Sequence, residues 1–368
     1  MLKIKKQNFD RVFLGIVFAI LFFGLLMFGS ASLGVLAKHE DKFYSILINQ
    51  FVFGLFGGFS LLFLFSYIHY SYIRKFSFYF YLASFFLTLL VFVPHIGFAH
   101  GGAHRWIHLF GISLQPAELL KYGVIFFWAE WLVLYQKGVH TFKYGLLPFF
   151  IIVCLPFLLL LMQPDTGTGA ILLFSGFAMY FIAGASWKDI AKLFLAGVIG
   201  LFILTLLRPY VLERIKTFID PSHDSQGSSY QLQQSLIAIG SGGIDGRGYM
   251  QSVQKFNFLP EPIGDSIFSV ISEELGLLGA TFLLLLFLSL AFRGYKIAGD
   301  LPDLYGSLVI VGIVTLYTVQ ALLNIASMVG LFPLTGVPLP FVSHGGTSLL
   351  TSLLGTGIIL NISKFRKL

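Results

Sequence analysis

Residues 255–276 read KFNFLPEPIGDSIFSVISEELG. The stretch lies between long apolar segments, yet it is neither apolar nor periodic enough to cross a bilayer itself. It carries Glu261 and Asp265, then Glu273 and Glu274 at the mouth of the next hydrophobic run. Pro260, Pro262 and Gly264 keep its acidic part out of regular helix. A carboxylate on a constrained loop beside a membrane suits a catalyst whose substrate is part lipid and part sugar. An ordinary solvated loop would also be polar, so the surrounding chain has to decide.

The chain has 368 residues, 57% hydrophobic and 11% charged. Soluble domains carry about a quarter charged residues, so the composition predicts a polytopic membrane protein. The 42 phenylalanines suit lipid-facing helices. The single cysteine, Cys154, sits in an apolar run and can form no internal disulfide. A net charge of +7 raises the question of nucleic acid. The basic residues are scattered through short loops, so membrane orientation accounts for them and no nucleic-acid partner is expected. The first apolar run, from Val12 to Ala37, is too long for a signal-peptide core and reads as a retained span.

A span needs about 20 mostly apolar residues. Runs at 12–36, 46–67, 77–98, 116–136, 145–163, 168–185, 192–208, 267–292, 305–330 and 346–363 qualify. These predict an all-α polytopic fold of about ten transmembrane helices in one membrane domain covering 1–368. One long loop, about 209–266, joins helices seven and eight. With ten spans both termini share a side, which holds Lys3, Lys5, Lys6, Arg11, Arg74, Lys75, Lys137, Lys143, Lys188, Lys192, Arg293, Lys296, Lys364, Arg366 and Lys367. The other side holds Lys38, Lys42, Arg105, Arg208, Arg214, Lys216, Arg247 and Lys255. The positive-inside rule therefore puts both termini in the cytoplasm and the long loop outside. Within that loop SSYQLQQSLIAIGSGG is amphipathic and is expected to be ordered on the membrane surface.

Four further polar constellations fall on the outer side. In GGAHRWIHLFGISLQPAELLK, 101–121, Arg105 and Trp106 suit a membrane interface. Pro116 suits a first helical turn. Glu118 and Lys121 are three residues apart and share a helix face. Lys121 lies inside a span, where a charge needs a partner; Glu118 or Asp165 is expected to supply it. QPDTGTG, 163–169, places Asp165 at the outer membrane edge, where it could pair with Lys121 or help hold a metal. The long loop contributes Arg214, then the glycines Gly240, Gly242, Gly243, Gly246 and Gly248. Their spacing fits neither a dinucleotide fingerprint nor a Walker A loop, so no organic cofactor is expected. NIASMVGLFPLTGVPLPFVSHGGTS, 324–348, brings prolines and glycines to the membrane edge, where irregular backbone must be buried or line a cavity. His100, His104 and His108 recur every four residues, which on a helix would be metal-ligand spacing. The flanking glycines and the Arg-Trp pair favour an interfacial loop instead.

These stretches resemble, in order, the motifs of the SEDS family (shape, elongation, division and sporulation), which includes RodA and FtsW. The matching segments are AHRWIHLFGISLQPAELLK, QPDTGTG, YQLQQSLIAIGSGGIDGRG, QKFNFLPEPIGDSIFSVISEELG and PLTGVPLPFVSHGGTS. SVQKFNFLPE and LTGVPLPF look more like the division branch, FtsW, than the elongation branch, RodA. Ala117, His344 and the IGDSIF around the aspartate depart from the commonest family pattern. The resemblance implies a peptidoglycan glycosyltransferase that polymerises lipid II at the outer face of the bacterial cytoplasmic membrane, in septal wall synthesis. It places the catalytic aspartate at Asp265 and substrate binding at Arg105, Glu118, Lys121, Asp165, Arg214, Gln234 and Ser343. It also implies a divalent cation, Mg or Mn, with ligands unknown. The implied partners are lipid II, the nascent glycan strand, a class B penicillin-binding protein, other division proteins and membrane lipids. An elongation-type polymerase, a lipid II flippase and a non-catalytic division scaffold are the alternatives.

Overall fold

The computed structural model describes residues 8–37, 40–100, 103–109, 112–207, 209–220 and 228–366. Arg208 and the basic residues Lys3, Lys5, Lys6, Lys38 and Lys367 lie outside them.

Every apolar run in the sequence becomes a helix. They are α1 (Arg11–Leu36), α2 (Phe43–Tyr67), α3 (Tyr70–Phe92), α4 (Pro116–Leu134), α5 (Phe142–Met162), α6 (Thr166–Ile182) and α7 (Trp187–Leu207). After them come α8 (Pro209–Ile219), α9 (Ser228–Gly242), α10 (Ile267–Gly299), α11 (Leu304–Met328) and α12 (Gly346–Ser363). Among the described residues eight helices are long and apolar enough to cross a membrane by length and composition. The two other expected spans are α6, 17 residues long, and α4, which carries Glu118, Lys121 and Glu130. The chain is a multi-pass membrane protein of the all-α class.

Helix ends follow local chemistry. Asp10 caps α1, accepting from the Phe13 N–H at 2.8 Å, and Pro116 begins α4 where its missing N–H costs nothing. The third helix starts at Tyr70 rather than near residue 77: His69 Nδ1 caps it by accepting from Ser71 N–H at 3.2 Å, and Arg74 inside it pairs with Glu130 of α4. Turns of π-helix interrupt α2 at Asn49–Gly57 and α5 at Phe142–Leu146 and Phe150–Cys154.

The hydrophobic core is centred on α11 and α12. Burial covers 94% of α12 but only 12% of α7, which places α7 at the periphery. Helix α12 packs on α2, α3 on α4, and α10 on α11, α9 and α1.

There are two departures from a simple bundle. Where an interfacial loop was expected, three strands form a small antiparallel sheet: β1 (Gly97–His100), β2 (Ala103–Leu109) and β3 (Ile112–Leu114). His100, His104 and His108 therefore sit on strands, which removes the helical metal-ligand spacing. The second departure is in α10, where Gly276 adopts φ 64°, ψ −162° and breaks the helix after its first nine residues. The backbone groups that the break exposes are met by the Gly-rich loop. Arg247 and Gly248 N–H donate to the carbonyls of Glu273 and Glu274, both at 2.9 Å, and Leu277 N–H donates to Gly243 O at 2.9 Å. A Cβ at Gly276 would lie 2.3 Å from Ile244 O, so only glycine permits this approach.

The expected amphipathic piece of the long loop is α9. Its continuation is tied down by a buried ionic cluster. Glu274 accepts from Lys255 Nζ at 2.7 Å, Ser30 Oγ at 2.6 Å and Met250 N–H at 3.0 Å. Glu273 accepts from Val253 N–H at 3.0 Å and Ser252 Oγ at 2.5 Å. Both glutamates are fully buried and satisfied, as buried charges must be.

Candidate active site

Asp265 sits at the end of a tight turn immediately before α10. Gly264 and Ser266 N–H both donate back to Glu261 O, at 2.9 and 3.3 Å, and Glu261 takes φ 46° to allow it. The side chain of Asp265 is half-buried. Ser266 Oγ lies 3.4 Å from its Oδ1 and itself accepts from Gln231 Nε2 on α9 at 3.0 Å. Arg214 of α8 is a neighbour. A Cβ at Gly336 would stand 3.8 Å from Arg214 Nη2 and 3.9 Å from Asp265 Oδ2, so the cation and the carboxylate both border this glycine, which takes φ 68°. The Arg214 guanidinium is oriented by donation to Leu334 O.

Burial pushes the Asp265 carboxyl up to about 6. Donation from Gln231 and the positive charge of Arg214 pull it down, while Glu261 pushes it up. The net result is a carboxylate that is ionised at neutral pH and more basic than an ordinary aspartate.

Arg105, on β2, donates through Nε to Gln163 O at 3.3 Å and through Nη2 to Pro164 O, bracing the turn before α6. Asp165 caps α6 by accepting from Thr168 N–H at 3.2 Å. Glu118 and Lys121 form the expected pair at 2.9 Å, both almost completely buried. Lys121 Nζ also reaches Gln320 Oε1 at 3.2 Å, and Thr351 Oγ1 donates to Glu118 Oε2 at 3.0 Å. Asp165 is thus a helix cap and Glu118 the lysine's partner. Ser343 is buried. Its Oγ donates to Gly264 O at 2.7 Å and accepts from Leu339 N–H at 2.8 Å, so its hydroxyl is engaged within the protein. Gln234 is half-buried, with no side-chain hydrogen bond among the described residues. The glutamine that reaches the Asp265 carboxylate and Ser266 is Gln231, one turn earlier on the same helix.

Among the described residues no group of three His, Cys, Asp or Glu could hold a metal ion. Asp265 and Glu261 are the acidic groups at the site, because Glu273 and Glu274 are closed off in their own cluster. The Asp265 carboxylate fits the hard-cation pattern in which one or two protein oxygens are completed by substrate phosphate oxygens.

The profile of the cell cycle protein family of FtsW, RodA and SpoVE matches residues 10–368. The chain belongs to this FtsW/RodA/SpoVE family. Its similarity to individual members is spread along the whole length. Stage V sporulation protein E of Bacillus subtilis (strain 168) is 40% identical over 99% of both chains. A protein named probable peptidoglycan glycosyltransferase FtsW, from Geobacter sulfurreducens, is 37% identical over 97% of this chain and 95% of its own. Among solved structures, a chain of a peptidoglycan synthase complex that coordinates polymerization and crosslinking superposes with TM-score 0.79 at 27% identity. That match covers 96% of this chain and 97% of the other. The rod shape determining protein RodA of Thermus thermophilus superposes with TM-score 0.71 at 28% identity, covering 97% of each. The FtsW-named and RodA-named relatives agree with the resemblance read from the motifs.

Proposed function

We propose that this chain is a peptidoglycan glycosyltransferase that polymerises lipid II at the outer face of the cytoplasmic membrane, of the FtsW-like division type. The observation that carries the reading is that the Asp265 carboxylate, held on its tight turn, and the Arg214 guanidinium both border Gly336.

The reaction joins a sugar hydroxyl of lipid II to the anomeric carbon of the growing glycan and releases a polyprenyl pyrophosphate. The hydroxyl is a weak nucleophile and needs a base. Asp265 accepts its proton as the new C–O bond forms. Its raised affinity for protons, set by burial, makes it a stronger base than a solvated aspartate while leaving it ionised at pH 7. The leaving pyrophosphate is already a good anion, so no second carboxyl is needed to protonate it, unlike in glycosidases. Arg214 is placed to face the developing negative charge. A divalent cation, if bound, would be held by Asp265 together with the pyrophosphate and would neutralise part of its charge. Arg105, Glu118, Lys121, Asp165 and Ser343 act in this reading by holding the outer loops around the substrate.

Both termini face the cytoplasm in this reading. A cysteine at Ser228 is then labelled from outside by an impermeant reagent, and one at Ser186 is not; the opposite pattern inverts the orientation. A class B penicillin-binding protein supplies crosslinking, in line with the superposable chain's place in a synthase complex that coordinates polymerization with crosslinking. Co-purification with the organism's own class B transpeptidases tests this and fails if none is recovered.

Purified protein given labelled lipid II tests the activity. Glycan chains identify a polymerase, lipid movement without chains a flippase, and neither a scaffold. The flippase reading has one structural feature in its favour, the interruption of α10 at Gly276.

A further inference from the structure

The carbonyl oxygens of Ile263, Gly264 and Asp265 all turn into the protein, and each has its own donor. His344 N–H donates to Ile263 O at 2.7 Å, Ser343 Oγ to Gly264 O at 2.7 Å, and Asn324 Nδ2 to Asp265 O at 2.7 Å. All three donors come from the last turns of α11 and the loop that follows it. Asn324 Nδ2 also donates to Val337 O at 2.9 Å. The two amide hydrogens are therefore both engaged, one on the aspartate's own peptide and one on the loop that carries Gly336.

Asn324 is completely buried, and its Oδ1 has no hydrogen-bond partner among the described residues. Turning the amide over would set Oδ1 against two carbonyl oxygens, so the two donations fix which way the group faces. One turn earlier on α11, Gln320 Nε2 donates to Pro338 O at 2.8 Å. The same helix thus grips adjoining residues of the 334–341 loop at two points. With three successive carbonyls held inward, the peptide planes on either side of the Asp265 α-carbon cannot rotate. The direction of its side chain follows from that.

We propose that Asn324 is the positioning residue for Asp265. It ties the aspartate's peptide to Val337, so that the carboxylate is held beside Gly336, which the guanidinium of Arg214 also borders. Ser343 and the His344 backbone complete the clamp on the two preceding carbonyls. Asn324 does not touch the carboxylate; it acts through the backbone. The catalytic consequence rests on Asp265 being the base, whereas the clamp itself does not.

The experiment uses purified full-length protein in nanodiscs with labelled lipid II, together with amide hydrogen exchange. Asn324→Leu removes both donors at similar volume, and Ser343→Ala removes one hydroxyl with a smaller disturbance. Misplacing a catalytic group by about 1 Å can cost roughly 10²-fold in rate, and a loss of that order in kcat is expected for Asn324→Leu. The KM for lipid II should hardly change. Exchange should rise in the 259–266 peptide while peptides from α11 and α12 stay protected. Ser343→Ala should show the same pattern in weaker form, and it decides the matter if Asn324→Leu does not fold. Unchanged exchange at 259–266 in the folded variants overturns the clamp. So does a loss of kcat matched by a general loss of protection. If Asp265→Asn polymerises normally, the base assignment fails, while the exchange result still decides the clamp.

Discussion

Lys121→Met tests whether the buried pair in α4 supports the site. Lys121 and Glu118 are 2% and 3% exposed, and their contact is 2.9 Å. Removing the ammonium leaves the Glu118 carboxylate enclosed with, among the described residues, only the Thr351 hydroxyl donating to it, at 3.0 Å, and deprives Gln320 Oε1 of the Lys121 donor. Breaking a buried pair from one side typically costs about 3–5 kcal/mol, because the remaining charge has no compensation. Replacing both members by neutral groups of similar size often costs little or even stabilises. The expectation is therefore non-additive. Lys121→Met loses about 3–5 kcal/mol, and Lys121→Met/Glu118→Gln recovers most of it. Gln320 also holds Pro338, so the single variant should lose most of its lipid II polymerisation, and the double variant should regain part. The assay is reversible unfolding in mixed micelles for the four proteins of the cycle, with polymerisation measured on each. A Lys121→Met protein as stable as wild type would refute the reasoning and leave Lys121 a tolerated snorkelling residue.

Two further outcomes follow from the site and the break in α10. With the Asp265 carboxyl at about 6, polymerisation should rise with pH along an acid limb centred there. The ionised fraction falls about tenfold between pH 7 and pH 5, whereas an ordinary aspartate near 3.9 stays largely ionised over that range; a flat rate from pH 5 to 7 in folded protein contradicts this. Gly276→Ala forces a Cβ to 2.3 Å from Ile244 O at a backbone geometry that L-residues avoid, so it should lower the unfolding free energy by about 1–3 kcal/mol of strain or more. Wild-type stability would mean that the break is not required.

The spans were legible because a bilayer imposes a length of about 20 apolar residues, a signal that survives without knowledge of packing. Their edges were less so. Arg74 depresses the hydropathy of the start of the third helix, and only its contact with Glu130 shows why it can lie there. The 97–114 sheet was hidden because AHRWIHL mixes interface residues with a strand register set by its neighbours. The break at Gly276 was invisible, since ELGLLGATF reads as helix unless the Gly243–Gly248 loop is known to approach it. At the site, Asp265 was readable as an acid on a constrained turn. Asn324 and Gln231 were not, because neither carries acid–base chemistry and each matters only through a partner far along the chain. Glu273 and Glu274 stood out as acids, yet Glu274 is matched by Ser30, 244 residues away, and by Lys255 in the loop.

The central claim is that Asp265 is the base, and one substitution tests it most directly. Asp265→Asn keeps size and polarity but cannot accept the proton, and loss of a positioned base costs about 10²–10⁴ in rate. Glu261→Gln, four residues away and more exposed, is the control. The measurement is glycan chain formation from labelled lipid II by purified, folded protein. The account predicts no measurable polymer from Asp265→Asn and retained polymerisation by Glu261→Gln; polymerisation by Asp265→Asn within a few-fold of wild type would contradict it.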